Sequence, residues 1–158
     1  MHLYIASGLG FSEAGRYFYN REIIPLCQRL GFTVLDPWIL TPQTKLDAVT
    51  AMPEGQARRS AWRILNVEIA RNNAAAIDRA DLLLALLDGT EIDSGAASEI
   101  GYAAAKGKPV IGYRSDFRQA GDNEGAMINL QVEYFVRLNG GDIVTTLEAL
   151  AVRLKAFL

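Results

Sequence analysis

The chain predicts an α/β fold, a sheet of about five mainly parallel strands with helices on both faces, and three observations carry that expectation. Leu82-Leu83-Leu84-Ala85-Leu86-Leu87 is an unbroken apolar run bounded by charge and glycine, the pattern of a buried strand. A segment rich in small residues follows it and reads as a helix, after which Pro109-Val110-Ile111 opens another strand. At the other end of the chain Leu3-Tyr4-Ile5-Ala6 leads into a helical stretch and then a second short apolar run. Strand and helix in alternation argue a doubly wound sheet, and with five strands the flavodoxin-like order 2-1-3-4-5 follows. The ends of strands one, three and four then surround one crevice.

Each element has its own signals. Residues 2–6 form the first strand. Ser12 caps a helix that runs to about Leu30 with Gly31 as its stop, and residues 32–35 make the second strand. Asp36-Pro37 breaks the pattern. From Trp38 to about Gly55, with Thr41-Pro42 and Met52-Pro53-Glu54-Gly55, no period is sustained, which predicts a long loop or short irregular helices of the kind that often cover a site. A long helix spans about 57–79, with Trp62, Leu65, Ile69 and Ala76 or Ile77 on its apolar face. Residues 82–87 form the third strand, about 95–106 a helix, 109–113 the fourth strand and 113–125 a loop that converges on the crevice. The fifth strand is expected at 131–136. A final amphipathic helix begins at Asp142 or Thr145, with Leu147, Leu150, Leu154 and Phe157 along one side. No repeat interrupts this order, and residues 1–158 read as one domain.

Composition excludes several classes of function. A chain of 158 residues that is 50% hydrophobic suits one globular core, and its longest apolar run falls well short of the roughly 18 to 20 residues that span a bilayer. The N-terminus enters a strand directly, without a basic region and a long apolar segment, so a cytoplasmic protein with no membrane association is expected. Net charge is −2 with no basic block, which argues against nucleic acid and for a small-molecule partner. The one cysteine, Cys27, falls among Ile23, Ile24, Leu26 and Leu30 and reads as core packing rather than a nucleophile. One histidine and one cysteine without ligand spacing predict no metal. Ser7-Gly8-Leu9-Gly10 is too short to be a dinucleotide fingerprint, so no cofactor is expected.

The segment Asp93-Ser94-Gly95-Ala96-Ala97-Ser98-Glu99-Ile100-Gly101 carries the chemistry. It lies at a strand-to-helix junction, where open parallel sheets bind ligands. Two carboxylates there, with Gly95 admitting a substrate to the backbone, suit reaction at a carbon that becomes electron-poor, such as a sugar C1′. Glu99 is the expected nucleophile: it stands early in a helix whose macrodipole favours a carboxylate anion, among small residues that give the helix little surface character. The plainer alternative for Glu99 is a solvated helical glutamate. Asp93 has the place of a helix N-cap.

This segment resembles the Asp-x-Gly-x-x-x-Glu-x-Gly signature of the nucleoside 2-deoxyribosyltransferase family. Further pieces resemble the family in the same order: the opening strand with Ser7-Gly8 after it, Asn72-Asn73, and Asn129-Leu130. The resemblance implies the flavodoxin-like architecture and exchange of the 2-deoxyribosyl group between bases, through a glycosyl ester on Glu99 and with retention. It also implies that Tyr4 orients Glu99, that Asn73 contacts the base, that Asp93 and Gly95 meet the sugar, with Asp93 on its 5′ hydroxyl, and that Ser7 and Gly8 face the ligand. Asn129 would complete the site of a neighbouring subunit in a homo-oligomer. The partners implied are 2′-deoxynucleosides and free nucleobases.

The chain also departs from the family pattern. The family's usual Gly-Pro pair after the first strand is absent, Gln131 replaces a common Met, and residues 38–59 have no counterpart. Asn73 is an amide and cannot act as a general acid. Three other readings accompany the transferase: a nucleoside hydrolase of the same fold, a hydrolase of nucleoside 5′-monophosphates, which the charge of Asp93 opposes, and a non-catalytic binding module.

Overall fold

The computed structural model describes residues 1–158. Five strands, β1 (His2–Ser7), β2 (Thr33–Leu35), β3 (Leu82–Leu86), β4 (Val110–Tyr113) and β5 (Asp142–Val144), form one sheet in the order β2-β1-β3-β4-β5. All pairings are parallel, with Tyr4 beside Leu83 and Leu84 beside Ile111. The architecture is the flavodoxin-like one that the alternation of elements predicts. No helix is long and apolar enough to cross a membrane.

The strands owe their apolar runs to cover on both faces. Alternate residues divide between two cores. Tyr4, Ala6, Leu83, Ala85 and Val110 face α4 (Gln56–Arg79), α5 (Ser94–Ala105) and α6 (Leu130–Leu138). Leu3, Ile5, Leu82, Leu84 and Ile111 face α1 (Glu13–Phe18), α2 (Ile24–Arg29) and α7 (Leu147–Lys155). Each such leucine removed from water contributes about 1.5–3 kcal/mol. Cys27 is buried in the second core, where desolvation pushes its thiol up to about 12, so packing is its role.

Three expectations are corrected. The single helix predicted from Ser12 to Leu30 is interrupted: α1, which Ser12 caps by accepting from the Gly15 N–H, passes through a π-helical turn at Tyr19–Ile23 before α2. Pro25 at the start of α2 has no N–H to continue the regular ladder, and a wider turn accommodates that loss.

The strand predicted at 131–136 is instead α6. Asn129 ends the preceding loop, and its side chain accepts from the Gln131 and Val132 N–H groups, an N-cap that starts a helix. Val132 and Val136 then fall on one buried face at helical spacing, so the β-branched and aromatic content was a poor guide. The fifth strand lies further on, at Asp142–Val144, where the sequence reading begins a helix. The final helix starts only after Thr146, whose hydroxyl accepts from the Ala149 N–H.

The third correction concerns α4, whose expected apolar face is core only in part: Leu65, Ala76 and Ile77 are buried, whereas Trp62 and Ile69 are half-exposed. The N-terminal part of this long helix pairs with α3 (Gln43–Thr50) outside the sheet.

Replacing the cap of α6 tests the helical assignment. Asn129→Ala should destabilise the protein by about 1 kcal/mol, and Asn129→Asp, which keeps the acceptor, by much less. Urea unfolding reads the difference; equal midpoints for the two variants would contradict the capping role.

Candidate active site

Parallel strands end on the same side of the sheet, and the site is built where β1 and β3 end. Tyr4 on β1 points to the face that α5 covers, because alternate residues of a strand do. After β3 the chain turns into α5, whose N-cap is Asp93: its Oδ1 accepts the Ala96 N–H at 2.9 Å. Glu99 follows on the same helix, and Asn73 reaches it from α4.

One carboxylate oxygen collects both contacts. The Tyr4 hydroxyl donates to Glu99 Oε1 at 2.6 Å, and Asn73 Nδ2 donates to the same atom at 3.3 Å. Oε2 takes no hydrogen bond. Burial and the nearby Asp93 charge raise the Glu99 carboxyl above the usual carboxylate range, while the bonds from Tyr4 and Asn73 act to lower it. The direction is opposite to the one that its place early in α5 predicts. Glu99 lies beyond the first helical turn, where the dipole field has faded, and desolvation dominates. Tyr4 is held far above its ordinary value by burial, then by Glu99 and Asp36, so its hydroxyl keeps its proton and remains a donor.

These groups stand at the foot of a cleft of about 410 Å³. Ser7, Asp93, Gly95 and Ala96 line it with Glu99 and Asn73. Ser7 is nearly buried, and its Oγ accepts from the Leu9 N–H at 3.0 Å, which tightens the turn after β1. Gly8 lies against Asp93; a Cβ there would come within 2.9 Å of the Asp93 Cβ, so the absence of a side chain lets this turn approach the helix cap. Asn73 Oδ1 is buried without a partner, an acceptor that a ligand N–H or O–H would satisfy.

The opposite wall comes from the segment that no sequence pattern resolved. Phe11 and Trp38 meet edge to face with ring centroids 5.0 Å apart, and Leu46 and Ile69 continue the apolar surface. Asp36 at the end of β2 anchors this wall: its Oδ1 accepts the buried Tyr19 hydroxyl at 2.8 Å and the Trp38 N–H at 3.0 Å. Gly10 accommodates the indole, since a Cβ at that position would lie 2.2 Å from Trp38 ring carbons. Asn72 ties α4 to this segment by donating to Thr41 Oγ1 at 2.9 Å. Aromatic residues at the strand ends and the polar face of α4 were the available signals; their convergence needs the fold.

Asn129 and the loop after β4 stand apart. Asn129 caps α6 and lines a separate recess with Ala97 and Asp122, so within one chain it does not join Glu99. The 113–125 loop, expected at the crevice, does not line the cleft. Arg114 holds it elsewhere: this fully buried guanidinium donates through Nη1 to Leu87 O at 2.5 Å and Gly89 O at 3.0 Å, and through Nη2 to Arg118 O at 2.7 Å. It thereby ties the loop to the turn after β3.

A family model described as nucleoside 2-deoxyribosyltransferase matches residues 3–131. Among solved structures, a conserved protein from Enterococcus faecalis V583 is 29% identical over 100% of this chain and 99% of its own, with a TM-score of 0.68. A 2-desoxiribosyltransferase from Leishmania mexicana is 23% identical over 99% and 95%, with a TM-score of 0.65. A CMP N-glycosidase from Clostridium botulinum is 16% identical over the whole of both chains, with a TM-score of 0.59. No curated protein matches.

Because the Glu99 carboxyl is raised in the folded state, the fold binds its proton more tightly than the unfolded chain does. Stability from this group is complete below the unfolded value, near pH 4.3, and is lost as pH rises through the folded value. Glu99→Gln should therefore unfold at higher urea concentration than the parent protein at pH 7.5, with the gap closing near pH 4. A gap of the same size at both pH values would show that the carboxylate is not under this strain.

Proposed function

Because the chain belongs to the nucleoside 2-deoxyribosyltransferase family, we propose that it moves the 2-deoxyribosyl group of a 2′-deoxynucleoside from one nucleobase to another through an ester on Glu99, with retention. The observation that carries this reading is the double clamp on Glu99 Oε1, which fixes the carboxylate at the foot of the cleft and leaves Oε2 for reaction. Oε2 attacks C1′ as the C1′–N bond to the first base breaks with its electrons going to that base. The second base then attacks C1′ from the face the first one left and gives its ring N–H proton to water, while the C1′–Oε2 bond breaks with its electrons returning to the carboxylate. Two inversions give retention.

The other residues take parts that their positions support. Tyr4 orients the nucleophile and tempers its charge. Asn73 steadies the same oxygen, and its unpartnered Oδ1 accepts from the bound nucleoside. Since an amide has no proton to give, another group or water protonates the departing base. Asp93, with Oδ1 committed to the cap, offers Oδ2 to the 5′ hydroxyl of the sugar. Gly95, Ser7 and Gly8 keep the floor low enough for the sugar to lie against it.

The cleft also favours free nucleosides over nucleotides. Its lining has two carboxylates, Asp93 and Glu99, and no lysine, arginine or histidine, so a 5′-phosphate would meet like charge and no counter-ion. Asn129 completes a neighbouring subunit's site in a homo-oligomer. Leu130, Tyr134 and Leu138 next to it, at helical spacing and 46–55% exposed, offer an apolar face suited to such contact.

Incubation with deoxyinosine, with and without free adenine, tests the reaction. Deoxyadenosine should form only when adenine is present, and Glu99→Gln should lower the rate about a thousandfold or more. Hypoxanthine release at an undiminished rate without adenine would make the protein a hydrolase, and no turnover across a panel of deoxynucleosides would leave a binding module.

The rate should also titrate. Activity needs ionised Glu99, so kcat/KM falls on the acid side with a midpoint above the ordinary glutamate value of 4.5. Tyr4→Phe removes a bond that lowers this value, so the acid limb should move to higher pH while kcat drops by about 10- to 100-fold. A limb that stays in place would separate Tyr4 from the ionisation of Glu99.

A further inference from the structure

The helix α4 presents Asn66, Ile69 and Asn73 to the cleft, spaced i, i+3 and i+7 on one face. Asn73 marks the reacting end through its bond to Glu99. Asn66 stands two turns away, about 10 Å along the helix axis. Between them Ile69 is apolar, and Phe11 and Trp38 add to the apolar lining. A flat base seated in this cleft with its glycosidic carbon at Glu99 would turn its far edge toward Asn66.

Few polar groups remain to read that edge. Thr41 is almost buried and already receives the Asn72 amide. Asn66 is exposed, and its amide makes no hydrogen bond within the chain. Resting on the reading of this cleft as a nucleoside site, we propose that Asn66 is the base-specificity residue and that it recognises the six-membered-ring edge of a purine.

The distance and the chemistry both favour a purine. From C1′ at Glu99 a bicyclic base extends further along α4 than a single ring, bringing its C6 substituent toward the second turn. A primary amide carries one acceptor and a donor group side by side. In one orientation it pairs with the O6 and N1–H of a 6-oxopurine, and rotated by half a turn it pairs with the amino group and N1 of a 6-aminopurine. The parent protein therefore takes both classes.

Replacing Asn66 by groups that keep or lose one half of this pairing tests the assignment. Because the side chain is exposed on a helix, the variants retain the fold. Asn66→Asp is an acceptor only. It accepts the amino group of adenine but opposes its N1, and accepts the N1–H of hypoxanthine but opposes its O6, so kcat/KM with thymidine as deoxyribosyl donor should fall about tenfold for both purine acceptors and much less for pyrimidine acceptors. Asn66→Leu should raise KM for both purines without changing their ratio, and should cost purine acceptors more than pyrimidine acceptors. Exchange by the parent protein with unchanged purine kcat/KM and KM values in both variants would overturn the role of Asn66 and leave the transferase reading standing. Absence of exchange in the parent protein would overturn both.

Discussion

The hydrogen bond from Tyr4 to Glu99 joins residues 95 positions apart, and the site depends on it. It exists because β1 lies beside β3 at the centre of the sheet, so the helix that follows β3 crosses the face to which Tyr4 points. Burial makes the bond matter. The carboxylate is drawn out of water far enough to resist ionisation, and a hydroxyl that cannot easily lose its proton stands opposite to stabilise the charge.

The remainder of the cleft divides into a polar floor and an apolar wall. The floor is carried on rigid elements: the end of β1, the cap of α5 and the inner turns of α4. The wall rests on one buried carboxylate, Asp36, which receives both the Tyr19 hydroxyl and the Trp38 N–H. Tyr19 belongs to the π-helical turn before Pro25, so a local irregularity of the first helix helps to set the aromatic side of the site. The two halves meet along α4, which touches Glu99 at Asn73 and Thr41 at Asn72. Neighbouring asparagines on one helix thus hold the Glu99 carboxylate and the Thr41 segment separately.

Much of this was legible in the sequence for definite reasons. Leu82 to Leu87 read as a strand covered on both faces, and the small residues from Gly95 to Ala105 as a closely packed helix. Asp93 and Glu99 were thereby fixed at a strand-to-helix junction before any coordinates. Short-range chemistry also identified the caps at Ser12 and Asp93. The strand expected at 131–136 failed because its valines and aromatic residues fit either period over so short a stretch, and the cap from Asn129 decided for the helix.

The sequence by itself determined the order of elements through β4, the parallel sheet and the place of Glu99 at a strand-to-helix junction, since these follow from periodicity, capping and apolar runs within short windows. Tertiary structure alone decided which groups meet that glutamate and how its ionisation shifts. It brought Phe11, Trp38 and Asn66 to one cleft, left the 113–125 loop and Asn129 outside it, and set burial against the helix dipole at Glu99. Desolvation and long-range contact are properties of what surrounds a residue, and no local pattern along the chain encodes them.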